Sequence, residues 1–170
     1  MKATQHPVMR GGALAILALL FGAVTLCISS LALAGSSVEH VHDGDTFTMS
    51  DGTSSYRVRL WAVDAPELGQ EGCAAARNFA SAMVANGITL VRKGSSYDRV
   101  VAQVLTRHGD LATLMLAGGF VMLDERYSKR TDYRAAQEFA ETNRLGIWAN
   151  DPTPPWQWRK SNSSRGKACE

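Results

Sequence analysis

The dipeptide Asp51-Gly52 stands between two runs of β-forming residues, Thr46 to Ser50 and Tyr56 to Val63. An Asp-Gly pair in that setting is a hairpin signal, because both residues tolerate the positive φ of a tight turn. The chain is thereby committed to an antiparallel strand pair. In the second run Tyr56, Val58, Leu60 and Ala62 alternate as a core face, and Arg57 and Arg59 occupy the other face. Asp64-Ala65-Pro66-Glu67 ends the run, since proline cannot extend a ladder. Asp45 sits where the first run should already be a strand, and aspartate is depleted in strands.

The remaining elements follow from similar signals. Ser36 to His42 reads as a strand before this pair. An alanine-rich segment from Gly72 to Asn86 reads as a helix, with Ala75, Phe79, Ala82 and Met83 at helical spacing. Ile88 to Arg92 and Arg99 to Thr106 read as two further strands. Asp110 caps a short helix that Gly118-Gly119 ends. Thr131 opens a third helix, with Tyr133, Ala136 and either Phe139 or Ala140 inward, and Leu145-Gly146 closes it. Five strands and three helices in this order predict an α+β domain around a curled sheet. The tail PTPPWQW, residues 152–158, reads as an extended strap packing a tryptophan onto the domain, with a docking peptide as the alternative. Residues 159–170 are polar.

Residues 1–34 stand apart from this domain. Lys2 and Arg10 are their only charges, and an apolar run ends in Ala32-Leu33-Ala34. A basic start, an apolar stretch and a small-x-small exit describe a secretory signal peptide. The apolar run is also long enough for an uncleaved signal anchor. Either reading puts the rest of the chain outside the cytoplasm, periplasmic or secreted, or anchored to the inner membrane and facing outward. The expected divisions are 1–34 as signal or anchor, 35–150 as the domain, and 151–170 as strap and tail. Without Lys2 and Arg10 the 18 basic residues become 16 against 16 acidic ones, so bulk charge gives no argument for nucleic-acid binding. Cys73 and Cys169 remain as an even pair, either disulfide-bonded or free.

Three sets of residues carry candidate chemistry. Asp45 and Asp64 lie at strand ends, and two carboxylates brought together favour a hard cation such as Ca²⁺ or Mg²⁺. Arg59 and Arg99 lie on strands and, if they converge, can hold a phosphate by bidentate hydrogen bonds. Glu67 beside them can take a proton from water. Taken singly, each is an ordinary turn or surface residue. Regular alternation also puts Asp64 on the wrong face to join Arg59, so the strand has to bend or end near Val63. His40 and His42 share a strand face, but no third histidine or cysteine near them completes a zinc site.

The ordered arrangement is more specific than its parts. Asp43-Gly44-Asp45-Thr46, then Arg59-Leu60-Trp61-Ala62-Val63-Asp64-Ala65-Pro66-Glu67, then Tyr97-Asp98-Arg99 resembles the staphylococcal nuclease (thermonuclease) family. That family's signatures run DGDT, R-L-x-x-x-D-x-P-E and Y-G-R. The resemblance covers roughly residues 36–150, and the ending LGIW at 145–148 and the PPW strap, frequent in members of proteobacterial type, also fit. It implies a mainly β, α+β fold, an OB-fold five-stranded barrel with three helices. It also implies Ca²⁺-dependent hydrolysis of DNA or RNA with little sequence preference, using one ion, and no stable protein partner.

Carried over by position, Asp45 and Asp64 are metal ligands, together with the backbone carbonyl of Ala65. Glu67 is the general base, Arg59 and Arg99 neutralise transition-state charge, and Tyr97 lies near the substrate phosphate. Two departures stand out. Asp98 replaces the glycine before the second arginine, where it can pair with Arg99. Glu125 falls where the family has a base-stacking tyrosine, with Tyr127 two residues on. The alternative function is a non-catalytic OB-type module for nucleic acid or protein.

Overall fold

The computed structural model describes residues 36–162 and Cys169. The signal or anchor segment lies outside the described residues, and so does most of the chain beyond Asn162. Among the described residues no helix is long and apolar enough to cross a membrane.

Among the described residues eight strands form: β1 Ser37–Val41, β2 Thr46–Ser50, β3 Ser55–Leu60, β4 Val63–Asp64, β5 Ile88–Ser96, β6 Arg99–Thr106, β7 Gly109–Asp110 and β8 Met122–Leu123. The main sheet has the order β1-β2-β3-β6-β5, with β7 added to β6. All its pairings are antiparallel except β3 with β6, which run parallel. The expected hairpin is present, with Ser50 opposite Ser55 across the turn at Asp51-Gly52. Its loop is held by Asp51 Oδ1, which accepts the N–H groups of Thr53 and Ser54 at 2.9 and 2.8 Å. Four α-helices are described: α1 Cys73–Val84, α2 Leu111–Ala117, α3 Thr131–Thr142 and α4 Pro155–Ser161. A 3₁₀ turn covers Gly146–Ala149. The architecture is α+β with an OB-type sheet, as the resemblance implies; three two-residue strands, β4, β7 and β8, and the helix α4 add to the expected five strands and three helices.

Strand alternation delivers Phe47 and Met49 from β2, Val58 and Leu60 from β3, and Ala102 and Val104 from β6 to one buried core. The helices close it with Ala76, Ala80, Leu111, Met115 and Tyr133. Asp110 caps α2 by accepting the N–H of Ala112 at 3.0 Å, as expected.

Three local expectations differ from the structure. In α1 the buried face is Cys73, Ala76, Ala80 and Val84, while Ala75 and Ala82 are exposed. Alanine on every side of the helix left the phase to be set by what packs against it. In α3 Ala140 is buried and Phe139 points out, 56% exposed. The extended strap is in fact the helix α4, which Pro155 opens at its first position. A proline whose own N–H is not needed is well suited to start a helix.

Candidate active site

The site is built on an interruption of β3. Arg59 is paired with Thr46 on one side and with Val101 on the other, which places it mid-sheet. One residue past Leu60, Trp61 still donates its N–H to Ala102 O at 2.9 Å. Ala62 then turns to φ 67°, in the left-handed region that alanine rarely adopts. Val63 and Asp64 leave the main sheet and pair with Leu123 and Met122 as β4–β8. This is the bend that the alternation of Arg59 and Asp64 required. It turns Asp64 back so that Arg59 Nη2 donates to Asp64 Oδ1 at 2.6 Å.

Asp45 arrives from the other side. Asp43 Oδ1 accepts the N–H groups of Asp45 and Thr46 at 3.0 and 2.7 Å, which fixes the turn. Leu60 donates its N–H to Asp45 O at 2.7 Å, so the backbone of Asp45 serves the sheet while its side chain faces the site. Asp45 Oδ1 accepts from Thr46 Oγ1 at 2.9 Å and from Arg59 Nη1, and Oδ2 accepts the N–H of Ala65 at 2.6 Å. Asp45 and Asp64 are each only 1% exposed. A strand-end carboxylate here is explained by its partners.

Burial pushes the Asp45 carboxyl up to about 8, and Asp43 and Asp64 add to that push against the pull of Arg59. Burial also works to lower the Arg59 pKa, but the two aspartates outweigh it and hold the guanidinium above its ordinary value. Arg59 is shared between the two buried carboxylates, and Asp64 takes a second guanidinium from Arg159.

Arg59, Asp64, Glu67, Tyr97 and Arg99 all line one open cleft of about 670 Å³. Arg99 stands on β6 opposite Arg57 of β3 and forms no salt bridge among the described residues. Tyr97 sits in the turn between β5 and β6 at φ 54° and is 97% exposed. Asp98 pairs with Arg57 and leaves Arg99 free of that partner, contrary to the pairing considered above. Glu125 faces Arg134 and Lys129, while Tyr127 lines the cleft, so the aromatic there is offset by two residues. His40 and His42 meet edge to face at 4.6 Å on the outer strand. Cys73 and Cys169 are joined by a disulfide, with Cα atoms 5.2 Å apart.

The charged cleft residues that the sequence does not single out are Lys93, Asp124, Arg126 and Arg159. Arg126 Nη2 donates to Asp124 Oδ2 at 2.6 Å. Arg159, on α4, donates to both oxygens of Asp64 and to Glu67. No local pattern could have announced it, because Arg159 lies 95 positions from Asp64.

Among the described residues no three side chains of His, Cys, Asp or Glu converge as a preformed metal cage. Of the expected metal ligands, Asp64 lines the cleft, while Asp45 and Ala65 are buried behind it, Asp45 reaching the cleft through Arg59 and Ala65 donating its N–H to Asp45; all three offer hard oxygens. Two guanidinium groups lie directly on these carboxylate oxygens. An all-oxygen donor set of this kind fits a hard divalent cation completed by water or substrate oxygens.

An OB-type sheet with paired acids and arginines in one cleft defines a phosphate-handling protein of nuclease type. Residues 57–150 match the model of the family described as staphylococcal nuclease homologue. An uncharacterized endonuclease of Haemophilus influenzae is 34% identical over 127 residues, covering 72% of this chain and 71% of that protein. A similar protein of Escherichia coli, also an uncharacterized endonuclease, is 30% identical over 126 residues, or 72% of this chain and 82% of its own length. Micrococcal nuclease of Shigella flexneri is 31% identical over 170 residues, which is 89% of this chain and 97% of that enzyme. The chain belongs to the staphylococcal nuclease family and is a hydrolase of the nuclease class.

Proposed function

We propose that the protein is an extracytoplasmic, Ca²⁺-dependent nuclease that hydrolyses phosphodiester bonds of DNA or RNA with little sequence preference. The observation that carries this reading is Arg59 bridging Asp45 and Asp64 on the wall of the cleft that also holds Glu67 and Arg99. Asp45, Asp64 and the Ala65 carbonyl would hold the ion. The ion, when bound, supplies Lewis acidity toward a phosphate oxygen. Glu67 takes a proton from the attacking water as the new P–O bond forms. The ester P–O bond opposite breaks, and the leaving oxygen takes a proton from water in the open cleft. Arg59 and Arg99 face the charge that grows on the non-bridging oxygens. Tyr97 and Tyr127 are exposed at the cleft and suit base and sugar contacts, which carry little sequence information.

Export is supported by the character of residues 1–34 and by the Cys73–Cys169 bridge, since disulfides persist in oxidising compartments. The functional test is digestion of plasmid DNA and of a structured RNA in a metal series. Cleavage with Ca²⁺ that EDTA stops is expected. Retention of nucleic acid without any cleavage, unaffected by chelator, would favour a binding-only module instead.

A further inference from the structure

Arg159 reaches the acidic cluster from the last described helix. Its Nη1 and Nη2 donate to Asp64 Oδ1 and Oδ2 at 3.0 and 2.7 Å, and Nη1 also meets Glu67. This is a bidentate grip on one carboxylate, the strongest arrangement a guanidinium can make with it. The arginine is anchored on the N-terminal side. Pro155 is buried, and Gln70 Nε2 donates to Thr153 O at 2.6 Å just before α4. Trp158 lies in a groove with Pro66, Met122 and Ile147. On the C-terminal side Cys169 is bonded to Cys73 at the start of α1. The tether keeps the local concentration of this guanidinium at Asp64 high.

Arg59 and Arg159 both touch Asp64, but they differ in freedom. Arg59 belongs to the middle of a sheet, and its side chain is 21% exposed. The Arg159 side chain lines the cleft and is 40% exposed, so it is held less closely at this carboxylate than Arg59. Of the roughly four lone-pair sites on the Asp64 carboxylate, three already face guanidinium N–H groups, one from Arg59 and two from Arg159, so a hard cation at this carboxylate competes with Arg159 for the same oxygens. Metal binding at this carboxylate therefore includes the work of displacing Arg159, and of placing a divalent charge beside its positive charge.

We propose that Arg159 is a resident competitor for the cation at Asp64 and sets the metal affinity of the active site. The inference rests on the metal-site reading given above. Without a bound ion the guanidinium compensates the buried carboxylate, and the site remains assembled. With an ion it swings out, and the measured affinity is lower than the bare ligand set would give.

The test is calorimetric titration of Ca²⁺ into the full, chelator-treated protein at fixed pH and ionic strength. Wild type, Arg159→Gln, Arg159→Lys and Asp45→Ala are compared, with circular dichroism confirming that each is folded. Arg159→Gln should bind Ca²⁺ roughly tenfold more tightly, the worth of one partly exposed charge-assisted bond. Arg159→Lys keeps the charge but loses the fork, and should fall between. Asp45→Ala should bind weakly or not at all. Unchanged or weaker binding in Arg159→Gln, with Asp45→Ala still defective, would overturn this inference and leave the metal site standing. A wild-type protein that takes up no Ca²⁺, or an Asp45→Ala protein that binds like wild type, would overturn both.

Discussion

Ala65 donates its backbone N–H to Asp45 Oδ2 at 2.6 Å, across 20 positions of sequence. This bond joins the turn before β2 to the segment after β4, so the two buried aspartates are held by backbone as well as by Arg59. The arrangement places negative charge in the interior at a cost to the fold, a usual trade at functional sites.

That cost is measurable at Asp45. Burial raises its carboxyl to about 8, above the value of an unfolded aspartate. Between the ordinary aspartate range and pH 8 the folded protein therefore binds more protons than the unfolded one. Stability of the metal-free protein must fall as pH rises through this window. Asp45→Asn removes the titration while Arg59 keeps Asp64. Thermal melts in EDTA should show the variant more stable by about 1–3 kcal/mol at pH 8. The gap should close toward pH 4, and cleavage should be lost. A variant less stable than wild type at pH 8 would contradict the electrostatic account.

Gly44 tests the packing behind the same turn. A Cβ added there would meet Ala76 Cβ at 2.7 Å and Ala65 Cβ at 2.9 Å. Neither methyl can rotate away, because each is fixed to its backbone. Gly44→Ala should cost about 1–3 kcal/mol in denaturant unfolding. It should also lower the cleavage rate by pushing Asp45 off Arg59 and the Ala65 N–H, and a variant with native stability and rate would refute the close packing.

Much of this arrangement is legible in the chain, and the rest fails for identifiable reasons. β2 and β6 were readable because alternating β-formers with clear turn residues face one core. The left-handed turn at Ala62 was not, since alanine carries no signal for positive φ; only the mismatch of Arg59 and Asp64 demanded a break. The phase of α1 was hidden by its alanines, and α4 by prolines that read as extended chain. Asp45, Arg59, Asp64, Glu67 and Arg99 were legible as an ordered pattern. Arg159 belongs to the same cleft through tertiary folding and the distant disulfide, which local spacing cannot express.

Away from the site, Tyr133 donates its hydroxyl to Asp110 Oδ2 at 2.7 Å, linking α3 to the cap of α2. Burial first, then this bond, raises the Tyr133 pKa above its ordinary value. The folded state thus favours the neutral phenol, and its contribution is fully present below about pH 10 and lost as pH rises further. Tyr133→Phe should cost about 1 kcal/mol at neutral pH. Wild type and variant should converge above pH 10 in chemical unfolding. A constant gap across that range would speak against a buried, hydrogen-bonded phenol.

The Cys73–Cys169 bridge spans 96 positions and so constrains the chain from α1 onward when unfolded, with β1–β4 outside the loop. The chain-entropy model gives such a loop about 4–5 kcal/mol. Reduction should move the denaturant midpoint down by a corresponding amount. An unmoved midpoint after verified reduction would show that the bridge restrains nothing that folding needs.

The central claim is that these acids and arginines form one phosphodiester-cleaving site, and Arg99 tests it most directly. It lines the cleft without a salt bridge among the described residues, so its removal leaves the carboxylate cluster and its bonds intact. The measurement is the single-turnover cleavage rate of a defined oligonucleotide by Arg99→Ala at saturating Ca²⁺. A loss of roughly 10²–10³-fold in a protein that melts like wild type is the predicted result. A rate within twofold of wild type would contradict the account.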